Sequence, residues 1–285
     1  MDKPRAIIFG AGVKGKSLLP TVQTQYEVTA FIDNDKTKWG EVVRCDSGVN
    51  IPICDPITLK SAEFEMVIIG TYVGLGPMTE QLLGLGVSRS QIDSSFVYAS
   101  VQSRIMFLER VGQIFEENGI SGCVAEGGVF QGEYAKEINR VFPQSTFYLF
   151  DTFTGFDARD VSVEASEGYS QSKAGHFNLS NEELVLSKLP HPDKCVFRKG
   201  YFPETTLGLD ESFCFVNLDF DLYKPILAGL EYFVPRMVPG GIILVDDYFA
   251  EGYKGVKAAV KKFQTKSKPL NLFPVGDGNS IGILL

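Results

Sequence analysis

The chain has 285 residues, of which 44% are apolar and 22% charged, and this composition is typical of a globular protein and too apolar for a disordered one. Its net charge of −8 and the absence of a dense run of lysine and arginine argue against nucleic acid as a partner. We expect a soluble, cytoplasmic protein, because no apolar run approaches the roughly 20 residues of a membrane helix and the start MDKPRAIIFG does not resemble a signal peptide.

The first hundred residues alternate strand patterns with helical ones, as in an α/β domain. Strands are predicted in RAIIF, YEVTAFIDND and EFEMVIIGTY, and a helix in PMTEQLLGLGV. Gly10, Gly12 and Gly15 have the G-x-G-x-x-G spacing of a dinucleotide-binding turn, and Asp33 lies near the end of the next strand. Only three strands are predicted, too few for two mononucleotide-binding halves, so residues 1–99 are interpreted either as a nucleotide-binding domain or as a docking or dimerisation module.

A second alternation follows a helix predicted over residues 100–118. Strands are predicted in GCVAEGG, STFYLFDTF, KCVFRKGYF, SFCFVNLDFD and GGIILVDDY, with helical patterns between them, which indicates a doubly wound parallel sheet in residues 100–285. The final LNLFPVGDGNSIGILL predicts an antiparallel hairpin at the edge of this sheet. The polar segment 157–180 has no sustained period and is predicted to be a mobile lid, with a capping box from Ser180 starting the next helix.

Glycines and acids mark the carboxyl ends of the first two strands of this second domain. The first strand ends in Glu126 and continues through Gly127, Gly128 and Gly132 into a helix. The second ends in Asp151, where a doubly wound sheet presents an acid to ribose hydroxyls. Tight glycine turns also occur in α/β domains without a ligand there, and an aspartate in this position can be a turn or helix cap.

Four further acids follow the fourth and fifth strands. Asp219 and Asp221 end the pattern FVNLDFD, and the pair Asp246 and Asp247 ends IILVDD. Because the carboxyl ends of parallel strands open onto one crevice, we expect these acids to converge. Clustered carboxylates repel one another, and Mg²⁺ is the simplest ion that relieves this repulsion. The alternative is a set of solvated acids at strand ends.

From about residue 120 the chain resembles the macrocin O-methyltransferase family, class I S-adenosylmethionine-dependent enzymes that methylate sugar hydroxyls. The resemblance rests on EGGVFQGEYAKEI, LFDTFTGF, GYFPETT, LDFDLYKP, VPRMVPGGIILVDDY and GVKAAVKKF in this order. Its most specific element is D-x-D-L-Y followed, 25 residues after Asp221, by the paired aspartates before Tyr248. One departure is Phe220, which stands where many sugar-modifying members have glycine.

The resemblance implies a class I methyltransferase fold, transfer of a methyl group to a sugar-type hydroxyl, and two cofactors, S-adenosylmethionine and Mg²⁺. It implies an S-adenosylmethionine site formed by Glu126, Gly127, Gly128, Gly132, Asp151 and Gly200. It implies a Mg²⁺ site on Asp219, Asp246 and Asp247, next to which Asp219 or Asp221 accepts the proton of the acceptor hydroxyl. We further expect a homo-oligomer.

Two other functions stay open at this point. One is a non-catalytic protein that binds a nucleotide or nucleotide sugar and retains a methyltransferase fold. The other is an oxidoreductase that uses the first glycine turn, although no acid or base for hydride transfer is evident beside that turn. The histidines His176 and His191 are assigned no catalytic role.

Overall fold

The computed structural model describes residues 3–44, 48–71, 75–266 and 269–285, and the chain forms two compact units, Met1–Gln102 and Ser103–Leu285. The domain boundary expected from the sequence, between residues 99 and 100, lies three residues before this division. In the described part of the chain, no helix combines the length and the apolar character needed to cross a bilayer.

The first unit is a twisted, mainly parallel sheet with helices. Its strands are arranged in the order β3-β4-β2-β1-β5-β6, and only β3 runs antiparallel to its neighbour. The elements are β1 (Arg5–Phe9), α1 (Val13–Ser17), α2 (Leu19–Gln25), β2 (Glu27–Ile32), β3 (Val42–Arg44), β4 (Asn50–Cys54), β5 (Met66–Ile69), α3 (Leu75–Gly84) and β6 (Ile92–Asp93).

The expectation of only three strands in this unit is wrong. β3 and β6 are three and two residues long, too short to show a period, and β4 contains Pro52, which weakens its strand pattern. The predicted glycine turn follows β1, with Gly10 in the left-handed region at φ +106°. The Asp33 carboxylate accepts hydrogen bonds from the Ala11 N–H (2.8 Å) and from Lys38 Nζ (3.0 Å), so the chain itself engages this acid. Nucleotide binding by this unit stays a prediction.

The second unit begins within α4 (Ser95–Asn118), the helix expected from residue 100, which ends as predicted before Gly119 at φ +66°. Its other elements are β7 (Cys123–Gly127), α5 (Glu133–Val141), β8 (Phe147–Asp151), α6 (Ala158–Glu167), α7 (Glu182–Leu186), β9 (Cys195–Lys199), β10 (Phe213–Leu218), α8 (Tyr223–Phe233), β11 (Met237–Val245), α9 (Lys254–Lys266), β12 (Asn271–Pro274) and β13 (Ile281–Leu284).

The sheet of this unit has the order β12-β13-β11-β10-β7-β8-β9. Five neighbouring strands run parallel to one another, namely β9, β8, β7, β10 and β11. Strand β13 runs antiparallel to both β11 and β12. The doubly wound sheet and its edge hairpin are therefore confirmed. The chain passes from β7 outward to β8 and β9, then crosses to β10 on the other side of β7. This is the switch point at which doubly wound sheets bind ligands, outside the carboxyl ends of the strands.

The segment predicted to be a lid is only partly irregular. Residues 158–167 form α6, which buries Asp160 and Glu164 one helical turn apart. The expected capping box at Ser180 is wrong as well. Asn181 caps α7 by accepting a hydrogen bond from the Leu184 N–H (2.8 Å), while the Ser180 hydroxyl bonds the carbonyl oxygen of Phe130.

Candidate functional site

One edge of the second sheet collects the six acids singled out in the sequence. Strands β8, β7, β10 and β11 are neighbours in this order and parallel, so their carboxyl ends face the same side. The acids at these ends are Asp151 on β8, Glu126 on β7, Asp219 and Asp221 after β10, and Asp246 and Asp247 after β11. The sheet topology therefore places the predicted cofactor anchors and the predicted metal ligands next to each other.

Glu126 is buried, with 1% of its surface exposed. Its Oε1 accepts a hydrogen bond from Asn217 Nδ2 at 2.8 Å, and its Oε2 has no hydrogen-bond partner among the described residues. Burial raises the pKa of Glu126 to about 8, although the bond from Asn217 and the nearby Arg104 both favour the ionised form. A buried carboxylate oxygen without a partner is costly, and a ligand with a cationic N–H group would satisfy it.

Asp151 links two turns at the end of β8. Its Oδ1 accepts the N–H of Phe153 at 2.7 Å, and its Oδ2 accepts the N–H of Phe130 at 2.8 Å. Phe130 and Phe153 are in the left-handed region, at φ +46° and +55°. Burial raises the pKa of Asp151, and these backbone bonds oppose that effect. A carboxylate oxygen accepts more than one hydrogen bond, so the two bonded oxygens can also receive ribose hydroxyls.

Gly127, the last residue of β7, and Gly128 after it are required by packing within the protein. A Cβ on Gly127 would lie 2.2 Å from the ring of Phe220, and a Cβ on Gly128 would lie 2.0 Å from the carbonyl oxygen of Asp219. Gly128 is also in the left-handed region at φ +85°. The turn after β7 therefore fits closely against the loop after β10. The ring of Phe220, the departure noted in the sequence, packs on Gly127 and on Phe202, with ring centroids 4.8 Å apart.

Gly132 and Gly200 show the same kind of constraint. Both have positive φ, +80° for Gly132 and +138° for Gly200. An added Cβ would lie 2.9 Å from Val185 Cγ1 in the first case and 3.0 Å from Thr205 Cγ2 in the second. The glycine pattern is thus explained by the chain's own turns, and direct contact of these glycines with a cofactor stays a prediction.

Asp219, Asp221 and Asp247 form a cluster in which one ligand oxygen from each lies within 4.8 Å of the others. Burial and the neighbouring carboxylates of Asp247 and Asp219 raise the pKa of Asp221 well above its ordinary range. Asp221 and Asp247 are in the left-handed region, at φ +61° and +57°. Such strain in a residue other than glycine is typical of functional sites. The donor set, three carboxylates in mutual repulsion, fits a hard divalent cation.

Asp246, one of the metal ligands expected from the sequence, is bonded by side chains of the protein. Its Oδ2 accepts a hydrogen bond from Arg104 Nη1 at 2.7 Å. Its Oδ1 accepts bonds from Asn279 Nδ2 and from the Ser280 hydroxyl, both at 2.8 Å. Asn279 Nδ2 also donates to Asp247 Oδ1 at 2.5 Å, so the protein engages both members of this pair. The assignment of Asp219, Asp246 and Asp247 to a metal stays a prediction.

Arg104, on α4, is the main residue of the site that sequence reasoning missed. Besides Asp246, its guanidinium contacts Asn217 Oδ1 at 2.9 Å and Asp219 Oδ2 at 3.3 Å, and its central carbon lies 4.1 Å from the ring centroid of Tyr134. Burial lowers the pKa of Arg104, but the carboxylates of Asp246 and Asp219 raise it by more. Its pKa therefore lies well above the ordinary value, and the side chain carries a permanent charge. A signal was present, because Arg104 continues the stripe of buried residues Leu108, Val111 and Phe115 at helical spacing.

A small cavity begins at the residue after Asp247. Its volume is about 150 Å³, and its lining combines aromatic and charged side chains: Tyr248, Phe249, Ala250, Glu251, Lys254 and Lys257. Tyr248 follows Asp247 in the chain, but none of the six acids of the sheet edge lines this cavity.

Comparison with known families supports this interpretation of the fold. Residues 94–272 match the model of the macrocin-O-methyltransferase family (TylF), and residues 2–93 match a family described as C2185-like, N-terminal. A relative from Streptomyces olivaceus, 8-demethyl-8-(2,3-dimethoxy-alpha-L-rhamnosyl)-tetracenomycin-C 4'-O-methyltransferase, is 37% identical over 57 residues. The match covers 20% of this chain and 22% of that relative, about a fifth of each.

Two solved structures share the fold at low sequence identity. The O-methyltransferase NovP aligns with a TM-score of 0.52 at 20% identity, over 64% of this chain and 79% of its own. The calicheamicin methyltransferase CalS11 aligns with a TM-score of 0.51 at 20% identity, over 74% of this chain and 85% of its own. These likenesses confirm the methyltransferase-type α/β fold expected from the sequence.

Proposed function

The chain belongs to the macrocin-O-methyltransferase family, and on that basis we propose that it uses S-adenosylmethionine and Mg²⁺ to methylate a hydroxyl of a sugar or sugar-containing small molecule. One observation carries this proposal. The carboxyl edge of the second sheet holds a buried acid with an unpaired oxygen, Glu126, next to a strained cluster of three carboxylates. The unpaired oxygen of Glu126 suits a cationic cofactor, and the carboxylate cluster suits a divalent cation.

The described residues fit S-adenosylmethionine at the ends of β7 and β8. Glu126 would bind the α-amino group of its methionine part, because the unpaired Oε2 accepts a charge-assisted hydrogen bond there. Asp151 would bind the ribose hydroxyls, as the acid at the end of the second strand does in doubly wound sheets. The family resemblance also implies that four glycines belong to this site. They would support it through the tight turns that they permit: Gly127, Gly128, Gly132 and Gly200.

The acid cluster fits one Mg²⁺. Asp219, Asp246 and Asp247 would hold the ion, as the family resemblance implies, and the convergence of the oxygens of Asp219, Asp221 and Asp247 supports a cation at this place. When bound, S-adenosylmethionine supplies the methyl group, and Mg²⁺ lowers the pKa of an acceptor hydroxyl that it coordinates.

The residues of the chain then orient the acceptor and take up its proton. The carboxylate of Asp219 or Asp221 would accept the hydroxyl proton as the acceptor oxygen takes the methyl group from the sulfur of the cofactor. Most of the rate enhancement would come from holding both reactants in line and away from water.

A non-catalytic scaffold is the alternative from another class. Such a protein would gain nothing from two aspartates held in the left-handed region beside a third acid, and this strain favours catalysis. We propose further that the protein acts in the cytoplasm as a homo-oligomer, and the net charge of −8 supports a small-molecule acceptor over nucleic acid or a membrane surface.

The test is methyl transfer by the full-length protein. It would be incubated with S-adenosylmethionine, Mg²⁺ and a panel of free, nucleotide-linked and glycosidic deoxysugars, with O-methylated products and S-adenosylhomocysteine measured by mass spectrometry. Asp219→Asn should abolish product formation, whereas Asp210→Asn, an exposed aspartate before β10, should leave it unchanged. Product formation at the wild-type rate by Asp219→Asn, or in excess chelator, would contradict the proposal.

A further inference from the structure

The short stretch from Glu164 to Tyr169 bonds the first residues of two other helices. Glu164, on α6, is 1% exposed, and its Oε1 accepts a hydrogen bond from the N–H of Tyr223 at 2.7 Å. Tyr223 is the first residue of α8, and Leu222 before it provides no side-chain cap. The carbonyl oxygen of Tyr169 accepts the N–H of Lys254, the first residue of α9, at 3.1 Å. This stretch therefore satisfies a free N–H at the start of each helix.

These two helices follow the two loops that carry the predicted metal ligands. Helix α8 begins two residues after Asp221, which is in the left-handed region at φ +61°. Helix α9 begins seven residues after Asp247, which is in the same region at φ +57°. This conformation costs free energy for a residue other than glycine, so surrounding contacts must hold each turn. The bonds from Glu164 and Tyr169 are contacts of this kind.

The contacts between the three helices are close. A Cβ on Gly255, the second residue of α9, would lie 2.7 Å from Glu164 Oε1 and 3.0 Å from Tyr223 Cβ. The rings of Tyr169 and Tyr223 are also neighbours, with centroids 5.3 Å apart. Helices α6, α8 and α9 therefore form a three-helix junction at Glu164, Tyr169, Tyr223 and Gly255.

Tyr253, the residue before α9, shows that this junction lies near the acids. Burial raises the pKa of its hydroxyl, and four carboxylates raise it further, those of Asp221, Asp247, Asp219 and Glu164. Because charges act over short distances in a protein, Tyr253 is close both to Glu164 and to the acids after β10 and β11.

Helix α6 is itself fixed one turn before Glu164. Asp160, which is buried, accepts a hydrogen bond from the Tyr201 hydroxyl at 2.7 Å, and Lys224 Nζ lies 3.7 Å from its Oδ1. Arg159 stacks on the ring of Tyr201, with its central carbon 3.5 Å from the ring centroid. These contacts tie α6 to the loop after β9 and to α8, so α6 can serve as a fixed support.

We propose that Glu164 is a positioning residue for the metal site: by holding the N–H of Tyr223, it keeps Asp219 and Asp221 at the separation from Asp246 and Asp247 that a divalent cation needs. This inference rests on the proposed function and deepens it. It gives α6 a role in the site, although this helix lies outside the motifs on which the family resemblance rests.

Glu164 should affect metal binding and leave cofactor binding unchanged. The bonds that fix the predicted cofactor anchors, Glu126 and Asp151, come from Asn217 and from backbone N–H groups after β7 and β8. None of these bonds involves Glu164. A residue that only supports the fold would weaken both kinds of binding together, or neither.

The experiment measures two affinities of the full-length protein. Binding of Mn²⁺ is followed by the electron paramagnetic resonance signal of the free ion, and binding of S-adenosylhomocysteine by calorimetry. For Glu164→Leu we expect a roughly tenfold weaker affinity for Mn²⁺, the size of one lost hydrogen bond, and an unchanged affinity for S-adenosylhomocysteine. Glu164→Gln should bind Mn²⁺ nearly as the wild type does, because its amide oxygen still accepts the N–H of Tyr223.

Glu167→Leu is the matched control, since Glu167 is the last residue of α6 and is exposed. It should change neither affinity. If Glu164→Leu does not fold, Gly255→Ala takes its place, because the added methyl group would displace Glu164 Oε1, and the same selective loss of Mn²⁺ affinity is expected.

The inference is overturned if the folded variant binds Mn²⁺ as the wild type does, if it binds both ligands more weakly, or if Glu164→Gln loses as much Mn²⁺ affinity as Glu164→Leu. Failure of the proposed function is distinguishable, because it would already show in the wild-type protein. That protein would then bind neither Mn²⁺ nor S-adenosylhomocysteine, and the inference would fall with it.

Discussion

Replacing Glu126 with glutamine should make the free protein more stable at neutral pH while weakening its binding of cofactor. The pKa of this acid is about 8 in the folded protein against 4.5 in its ordinary state. The raised pKa means that the folded protein gains stability from the neutral acid below about pH 4.5 and loses it as the pH rises to about 8. The difference between these two pKa values corresponds to about 5 kcal/mol of folding free energy, of which about 3 kcal/mol is lost by pH 7.

Glutamine at position 126 keeps an oxygen for the Asn217 bond and cannot ionise, so this pH dependence should disappear. The unfolding free energy of Glu126→Gln relative to wild type should therefore rise by about 3 kcal/mol between pH 4.5 and 7. Any cost of burying the new amide is the same at every pH, so it does not change how the difference in unfolding free energy varies with pH. In the same variant, affinity for S-adenosylhomocysteine should fall, because the amide does not attract the cationic amino group.

Urea unfolding followed by circular dichroism, at half-unit steps from pH 4.5 to 8, measures this difference. Glu183→Gln, which replaces an exposed glutamate on α7, is the control and should follow the wild type at every pH. A difference between Glu126→Gln and wild type that is flat across this range would refute the view that burial holds Glu126 neutral in the free protein.

Three further predictions concern other parts of the site. Asp151→Ala should weaken S-adenosylhomocysteine binding by about 1.5 to 3 kcal/mol in calorimetry, and an unchanged affinity would remove this acid from the ribose site. Exhaustive chelation should abolish methyl transfer yet leave S-adenosylhomocysteine affinity largely intact, so full activity with chelator present would exclude the metal. Gly127→Ala should lower the unfolding free energy by about 1 to 3 kcal/mol because its Cβ would lie 2.2 Å from the Phe220 ring, and combining it with Phe220→Ala should restore part of the loss. Equal stabilities of the single and double variants would contradict that packing.

The sequence predicts the second sheet well because its strands are long and apolar. β10, Phe213–Leu218, is buried at all six positions, and such a run followed by acids is a strong signal for a central parallel strand. The acids at the edge follow from topology alone, since all parallel strands end on the same side.

Other features are set by tertiary contacts that a linear pattern does not contain. Asp160 and Glu164 make the buried face of α6, and because both are acids the segment lacks the apolar period by which helices are predicted. The tandem pair Asp246 and Asp247 shows where β11 ends. Which of the two joins the acid cluster depends on the left-handed turn at Asp247. Asp246 is bonded by Arg104, a residue more than a hundred positions earlier.

The most direct test of the account is a crystal structure of the full-length protein with S-adenosylhomocysteine and Mn²⁺, the metal located by its anomalous scattering. We predict the cofactor over the carboxyl ends of β7 and β8, with its amino group on Glu126 and its ribose on Asp151. We predict one metal peak at the acids after β10 and β11, bound by Asp219, Asp246 and Asp247. Cofactor bound at the glycine turn of the first unit instead, or metal bound away from these three acids, would contradict the account.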